Sequence, residues 1–203
     1  FGRGGTGGVL NRVTKKAQLD QGFTTSQLSV DSLGELGGQI DHNRVLSDSV
    51  ALRINAMVER LGNHRDFYDG DRVGVNPTLH IESGDSVIDL SYEYIDHQRF
   101  IDRGIPTGAD GRPVEAFEKI VFGDPDVNTT ALKAHLWRAS VQHSFSDTLK
   151  GNIAAFYGDY DKLYQNFYAA AYDQAQTPDE VTLDGYVDTT QRKNSILSAN
   201  LVG

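Results

Sequence analysis

Apolar and polar residues alternate with a period of two along much of the chain. Val50, Leu52, Ile54, Ala56 and Val58 share one parity, and Arg53, Asn55 and Glu59 share the other. Further on, Val73, Val75, Leu79 and Ile81 oppose Asn76, Thr78, His80 and Glu82, and Ile88, Leu90, Tyr92 and Tyr94 oppose Asp89, Ser91 and Glu93. A strand with one wet face and one apolar face requires that pattern, and no stripe of helical period competes with it. The chain is therefore expected to be all-β, with roughly eight strands near 18–31, 35–46, 49–61, 72–82, 86–98, 130–145, 148–161 and 191–203. Pro77 falls inside the fourth run, where its missing N–H suits an edge or a bulge.

The connectors sort by parity. Short turns (Leu46-Ser-Asp-Ser49, Glu82-Ser-Gly-Asp-Ser86, Phe145-Ser-Asp-Thr148) alternate with long polar stretches at 62–72, 99–130 and 165–192. Tight turns at one end and long loops at the other are the habit of barrels that span an outer membrane. The runs have the length of roughly 9–11 residues that a tilted spanning strand needs. Tyr92, Tyr94, Trp137, Phe145, Tyr157, Tyr160 and Tyr164 lie toward the inferred strand ends, where aromatic girdles form. Ordinary β-propensity also accounts for them. A soluble β-sandwich used for binding or adhesion is the rival architecture, since a Greek key carries one long crossover.

Composition narrows the classes. The chain of 203 residues has a net charge of −9 and no cysteine. Scattered Lys and Arg on an acidic chain exclude a nucleic-acid partner, which needs clustered positive charge. Disulfides, thiolate chemistry and cysteine-type zinc sites are excluded as well. No apolar run approaches the length of a membrane helix, which leaves barrel strands untouched. The chain begins without methionine and ends inside the strand-like Ser195–Gly203, so it reads as a section of a longer protein.

Five glycines stand among the first eight residues, Phe1-Gly-Arg-Gly-Gly-Thr-Gly-Gly8, and lead into Val9-Leu-Asn-Arg-Val-Thr14. Gly2, Gly4 and Gly7 satisfy a dinucleotide-loop spacing, but that loop needs a preceding strand and a following helix. Here an alternating segment follows instead. The segment resembles the end of the plug domain of TonB-dependent outer-membrane receptors, just before their first barrel strand. Two later elements are similar to siderophore receptors of the ferrichrome and catecholate type. They are Asp102-Arg-Gly-Ile-Pro-Thr107 with Gly111-Arg-Pro113, and Phe145-Ser-Asp147 with Tyr157-Gly-Asp-Tyr-Asp161.

That resemblance implies an antiparallel up-and-down transmembrane β-barrel of 22 strands around a plug. Residues 1–17 would end the plug, and residues 18–203 would form the N-terminal part of the barrel, about eight strands of it. It implies uptake of a ferric siderophore across the outer membrane of a Gram-negative bacterium, energised through the TonB complex at a box absent from this chain. Outer-membrane lipid is the other expected partner. No cofactor is expected, because iron arrives as cargo already chelated. A receptor of the same class for cobalamin or a glycan is the nearer alternative.

A rigid barrel presents its loops for recognition, so binding residues are sought there. Aromatic and basic loop residues suited to an anionic chelate are Phe67, Tyr68, Arg99, Arg103, Lys119, Phe122, Phe167, Tyr168 and Tyr172. Arg3 and Arg12 are expected to hold the plug to acids such as Glu59, Asp89 or Glu93 on the barrel wall. No catalytic or metal site is expected. The six histidines stand singly, Gly84-Asp-Ser86 reads as a turn rather than an esterase tripeptide, and Asp66, Asp69 and Asp71 miss calcium-loop spacing.

Overall fold

The computed structural model describes residues 13–175 and 178–203. The glycine-rich opening, with Arg3 and Arg12, lies outside the described residues. Eight strands follow one another as β1 (Phe23–Val30), β2 (Leu36–Ser47), β3 (Val50–Leu61), β4 (Gly70–Ser83), β5 (Ser86–Phe100), β6 (Thr129–Ser144), β7 (Lys150–Asp173) and β8 (Glu180–Val202). They form one antiparallel sheet in strict sequence order, a meander with every strand beside its chain neighbours. A single sheet is the wall of an up-and-down barrel rather than half of a two-sheet sandwich.

Register fixes what each face presents. Ala51, Arg53, Asn55, Met57 and Glu59 pair with His80, Thr78, Asn76, Gly74 and Arg72, and that face continues through Asp89, Ser91 and Glu93 to Arg138 and Ser140. The opposite face carries Val50, Leu52, Ile54 and Val58, then Val73, Val75, Leu79 and Ile81, then Leu90, Trp137, Val141, Ile153, Tyr157 and Leu197. Burial is inverted relative to a water-soluble domain. Val58, Ile153 and Leu197 are 57%, 57% and 77% exposed, whereas Asn43, Glu93 and Arg53 are 1%, 4% and 8% exposed. An apolar surface of that extent marks a contact with lipid or protein.

The expected strands 35–46, 49–61, 72–82, 86–98 and 130–145 sit within a few residues of β2 to β6. Two expectations need correction. Residues 18–22 are not strand, because Asn43 takes their backbone groups and they lie across the polar face instead. The stretch 165–192, expected as a long connector, is mostly strand, since β7 and β8 run on as a paired hairpin to Asp173 and Glu180. Asp159, Asp161 and Gln165 interrupt the apolar parity that Leu163, Phe167 and Ala169 otherwise keep, which breaks the alternation. The connectors at 101–128 and 62–69 remain the long ones, and Gly84, at φ +56°, confirms the β4–β5 turn.

Pro77 stays within β4. It lies opposite Ile54, and the β4–β5 register omits it together with Asn76. Asn76 Nδ2 donates to the carbonyl of Tyr92 at 2.6 Å.

Candidate functional site

Two arrangements gather chemistry, both on the polar face. The first anchors residues 13–22. Lys15 pairs with Asp41 at 2.7 Å, and Lys16 pairs with Asp89 at 2.5 Å. Arg53 forks onto both Asp41 oxygens at 2.7 Å and donates to the Lys16 carbonyl at 2.9 Å. Asn43 accepts from the Gln18 N–H at 2.9 Å and donates to the Gln18 and Gln21 carbonyls at 2.9 and 2.6 Å. A buried charge needs such a partner, and a strap without regular structure needs its backbone polar groups satisfied from outside. The alternation supplies both by placing Asp41, Asn43, Arg53 and Asp89 on one face.

The acids expected to receive Arg3 or Arg12 have partners among the described residues. Glu59 pairs with Arg72 at 2.9 Å, Glu93 with Arg138 at 3.1 Å, and Asp89 also meets His80 at 2.7 Å.

The second arrangement lies where the long connectors meet the upper part of β7 and β8. Tyr164, Asn166 and Tyr168 share a parity on β7, and the register sets Asn166 opposite Tyr186 and Tyr168 opposite Asp184. Arg103, entering from the 101–128 connector, donates to Tyr186 Oη at 3.1 Å and to Asn166 Oδ1 at 3.5 Å. Its guanidinium lies 4.9 Å from the centre of the Tyr168 ring. Tyr164 and Tyr186 stack with centroids 5.7 Å apart at 14°. Hydrogen bonding, to the Tyr186 hydroxyl first, pushes the Arg103 pKa up.

Asn128 clips that connector in place. It is 2% exposed, donates to the carbonyls of Ile101 and Phe167 at 3.0 and 2.9 Å, and accepts from the Phe167 N–H at 2.7 Å. Gly123 makes room for it, since a Cβ there would stand 2.3 Å from Asn128 Nδ2. Arg65 fastens the same connector to the neighbouring one through Asp102 and the carbonyls of Glu118 and Ile120.

Of the residues expected from sequence, Arg103 and Tyr168 come together directly. Phe122 and Tyr172 are joined through Phe117, which packs edge-on at 5.5 and 5.2 Å. Tyr172 also donates to Asp179 at 2.6 Å, which raises its pKa. Phe67 is exposed at φ +63°, Lys119 is exposed, and Tyr68 is half-buried apart from the cluster. Arg99 faces its own strand end, donating to the Phe100 carbonyl at 3.3 Å. Phe167 has the parity opposite to Tyr168 and contributes its backbone to the Asn128 clip. Sequence reading missed Tyr164, Tyr186, Asn166 and Phe117. A four-residue recurrence of Tyr160, Tyr164 and Tyr168 was the available signal. Among the described residues, no group of three or more His, Cys, Asp or Glu is placed to hold a metal ion.

Fold and faces together define the wall of an up-and-down barrel, apolar on one face and polar on the other, with a strap held on the polar face and an arginine–tyrosine cluster at the long-connector end. No family model matches the chain. Over 108 residues, 52% of the chain, it is 35% identical to the probable TonB-dependent receptor BfrD of Bordetella pertussis. Over 161 residues, 77% of the chain, it is 28% identical to the metal-pseudopaline receptor CntO of Pseudomonas aeruginosa. The chain covers 14% and 22% of those relatives. In fold, 93% of it superposes on 32% of the ferric-catecholate import receptor Fiu of E. coli K12, with a TM-score of 0.78 at 21% identity. The chain is related to the TonB-dependent receptors and spans a minor part of their length. The relatives it matches are named as receptors rather than enzymes.

Proposed function

We propose that the chain is the first part of the barrel, with the end of the plug, of an outer-membrane receptor that imports a ferric siderophore with energy from TonB. The inverted polarity of the sheet carries this reading. Exposed Leu90, Val141, Ile153 and Leu197 suit lipid, and a charged inner wall suits an enclosed plug. On the apolar face Tyr92, Trp137 and Tyr157 form a row with centroids 5.3 and 5.4 Å apart. Lys133–Asp96 and Lys193–Asp159 pairs follow directly toward the long connectors. Aromatics giving way to charge is the profile of a membrane surface.

Residues 13–22, with the glycine-rich segment before them, would lead the plug into the wall, and Arg3 and Arg12 would help hold it. Iron enters only as cargo on its chelate. The names of the relatives, a TonB-dependent receptor and a receptor for a metal chelate, support the class. The test is uptake of radiolabelled ferric siderophores by cells with and without the complete gene. Loss of uptake of one chelate on deletion, restored only in cells with functional TonB, is expected. A complete gene product that is a detergent-free soluble monomer, or uptake indifferent to its deletion, would overturn the reading. The length of the CntO alignment favours one second reading, a chelate of another metal, checked by the same assay with non-ferric complexes.

A further inference from the structure

We infer that Arg44, with His42 and Thr24 beside it, forms a seat for the headgroup phosphate of an anionic phospholipid in the leaflet at the short-turn end of the barrel. The inference rests on the barrel reading above and goes beyond it by placing one lipid contact on named residues.

Register carries the placement. Arg44 pairs with Leu52 and His42 with Ile54, so both belong to the apolar, outward face. Arg44 stands three residues before Ser47, where β2 ends and the chain turns into β3. Between the Tyr92–Trp137–Tyr157 row and the short turns, the outward positions of β3 to β8 hold no Asp, Glu, Lys or Arg. Arg44 is thus a charge on a face otherwise kept free of it. Such a charge is costly at the middle of a bilayer and nearly free at its surface, where a long side chain reaches the headgroups.

The missing partner decides what Arg44 meets. At the opposite rim, the outward Lys133 and Lys193 each sit beside an acid, Asp96 at 3.3 Å and Asp159 at 3.6 Å. Arg44 is exposed and makes no hydrogen bond or ion pair among the described residues. One flank is open, because β1 begins at Phe23 opposite Asn43 and leaves Leu52 as the strand residue paired with Arg44. Two residues along β2, the Thr24 hydroxyl meets His42 Nδ1 at 2.8 Å. With Thr24 donating, the ring proton sits on Nε2, and the imidazole adds a donor to the guanidinium fork. A forked donor with no carboxylate competing for it suits a phosphate. The wall beside it is Leu52 and Ile54, apolar surface that acyl chains cover and a free phosphate does not.

The test is native mass spectrometry of the complete receptor in detergent, titrated with phosphatidylglycerol and with phosphatidylcholine of the same chain length. Phosphatidylglycerol should bind more tightly. Arg44→Gln should cut that preference roughly fivefold, the effect of one basic group beside an anionic surface. Arg44→Lys should keep most of it, and Lys133→Gln, at the other rim, should leave it unchanged. Equal binding of the two lipids, a preference untouched by Arg44→Gln, or an equal fall in Lys133→Gln overturns the site while leaving the barrel reading intact. Displacement of the lipid by inorganic phosphate at the same concentration also overturns it, since a free anion would then be the occupant. Retention of neither lipid overturns both the site and the lipid-facing assignment of the apolar face.

Discussion

The side-chain amide of Asn76 donates at 2.6 Å to the carbonyl of Tyr92, the residue that would face Pro77 if the pairs on either side ran on. Pro77 has no N–H to offer β5, and its neighbour replaces the missing donor. Asn76→Ala should lower the stability of the complete receptor by about 1–2 kcal/mol, the usual cost of a carbonyl left unsatisfied in a sheet. Pro77→Val returns the N–H, so in that background the Asn76→Ala loss should shrink. Thermal unfolding of the four combinations checks this, and additive losses would refute it.

Asn43 satisfies three backbone groups of the strap with one side chain. Asn43→Ala should free those groups, and hydrogen exchange at the Gln18 amide should accelerate at least tenfold or so as its local opening becomes easier. Exchange at β3 amides should be unchanged. If the Gln18 amide stays equally protected, the strap is held chiefly by its lysine and arginine pairs.

Asn128 clips the 101–128 connector to β7, and Gly123 leaves the space it fills. Asn128→Ala should expose the Phe167 amide to exchange and loosen Arg103 from the tyrosines. Gly123→Ala should produce the same pattern by displacing Asn128, because a Cβ at 2.3 Å cannot be accommodated without movement. Exchange mass spectrometry on both variants, with protection retained around Phe167, would count against the clip.

Trp137 sits in the aromatic row beside the charged rim, and it is the one tryptophan of this chain. In the complete receptor with other tryptophans replaced by phenylalanine, its fluorescence should be quenched more by acyl chains brominated near the headgroup than near the bilayer centre. Stronger quenching from the centre would move the membrane boundary toward the long connectors, and no quenching at all would remove this face from lipid.

The sequence disclosed the wall most clearly where one face is dry. From Val50 to Tyr94 most apolar strand residues take the parity of the outward face, with residues such as Ala51, Met57 and Val87 as exceptions, because only that face excludes charge. Above Tyr157 the outward parity is interrupted by Asp159 and Asp161 before Leu163 and Phe167 resume it, so the alternation breaks while the strand continues. Residues 18–22 depart from the expected strand because their partners are single side chains on other strands. Arg103 and Tyr168 were legible by residue type and position in the chain. Their pairing with Tyr186 was not, since it depends on a register set by the hairpin.

The hairpin of β7 and β8 also separates two kinds of variation. Its pairing is continuous from Lys150 with Val202 up to Ala169 with Leu183, and the one irregularity lies beyond the tyrosines, between Ala169 and Ala171. Lengthening or shortening the tip near 174–179 therefore leaves Tyr164, Tyr168 and Tyr186 where they are. A single residue inserted below them reverses the facing of every side chain above it. Tip length can drift among descendants of this chain while the tyrosines below it keep their facing, so the hairpin is a rigid post under a variable cap.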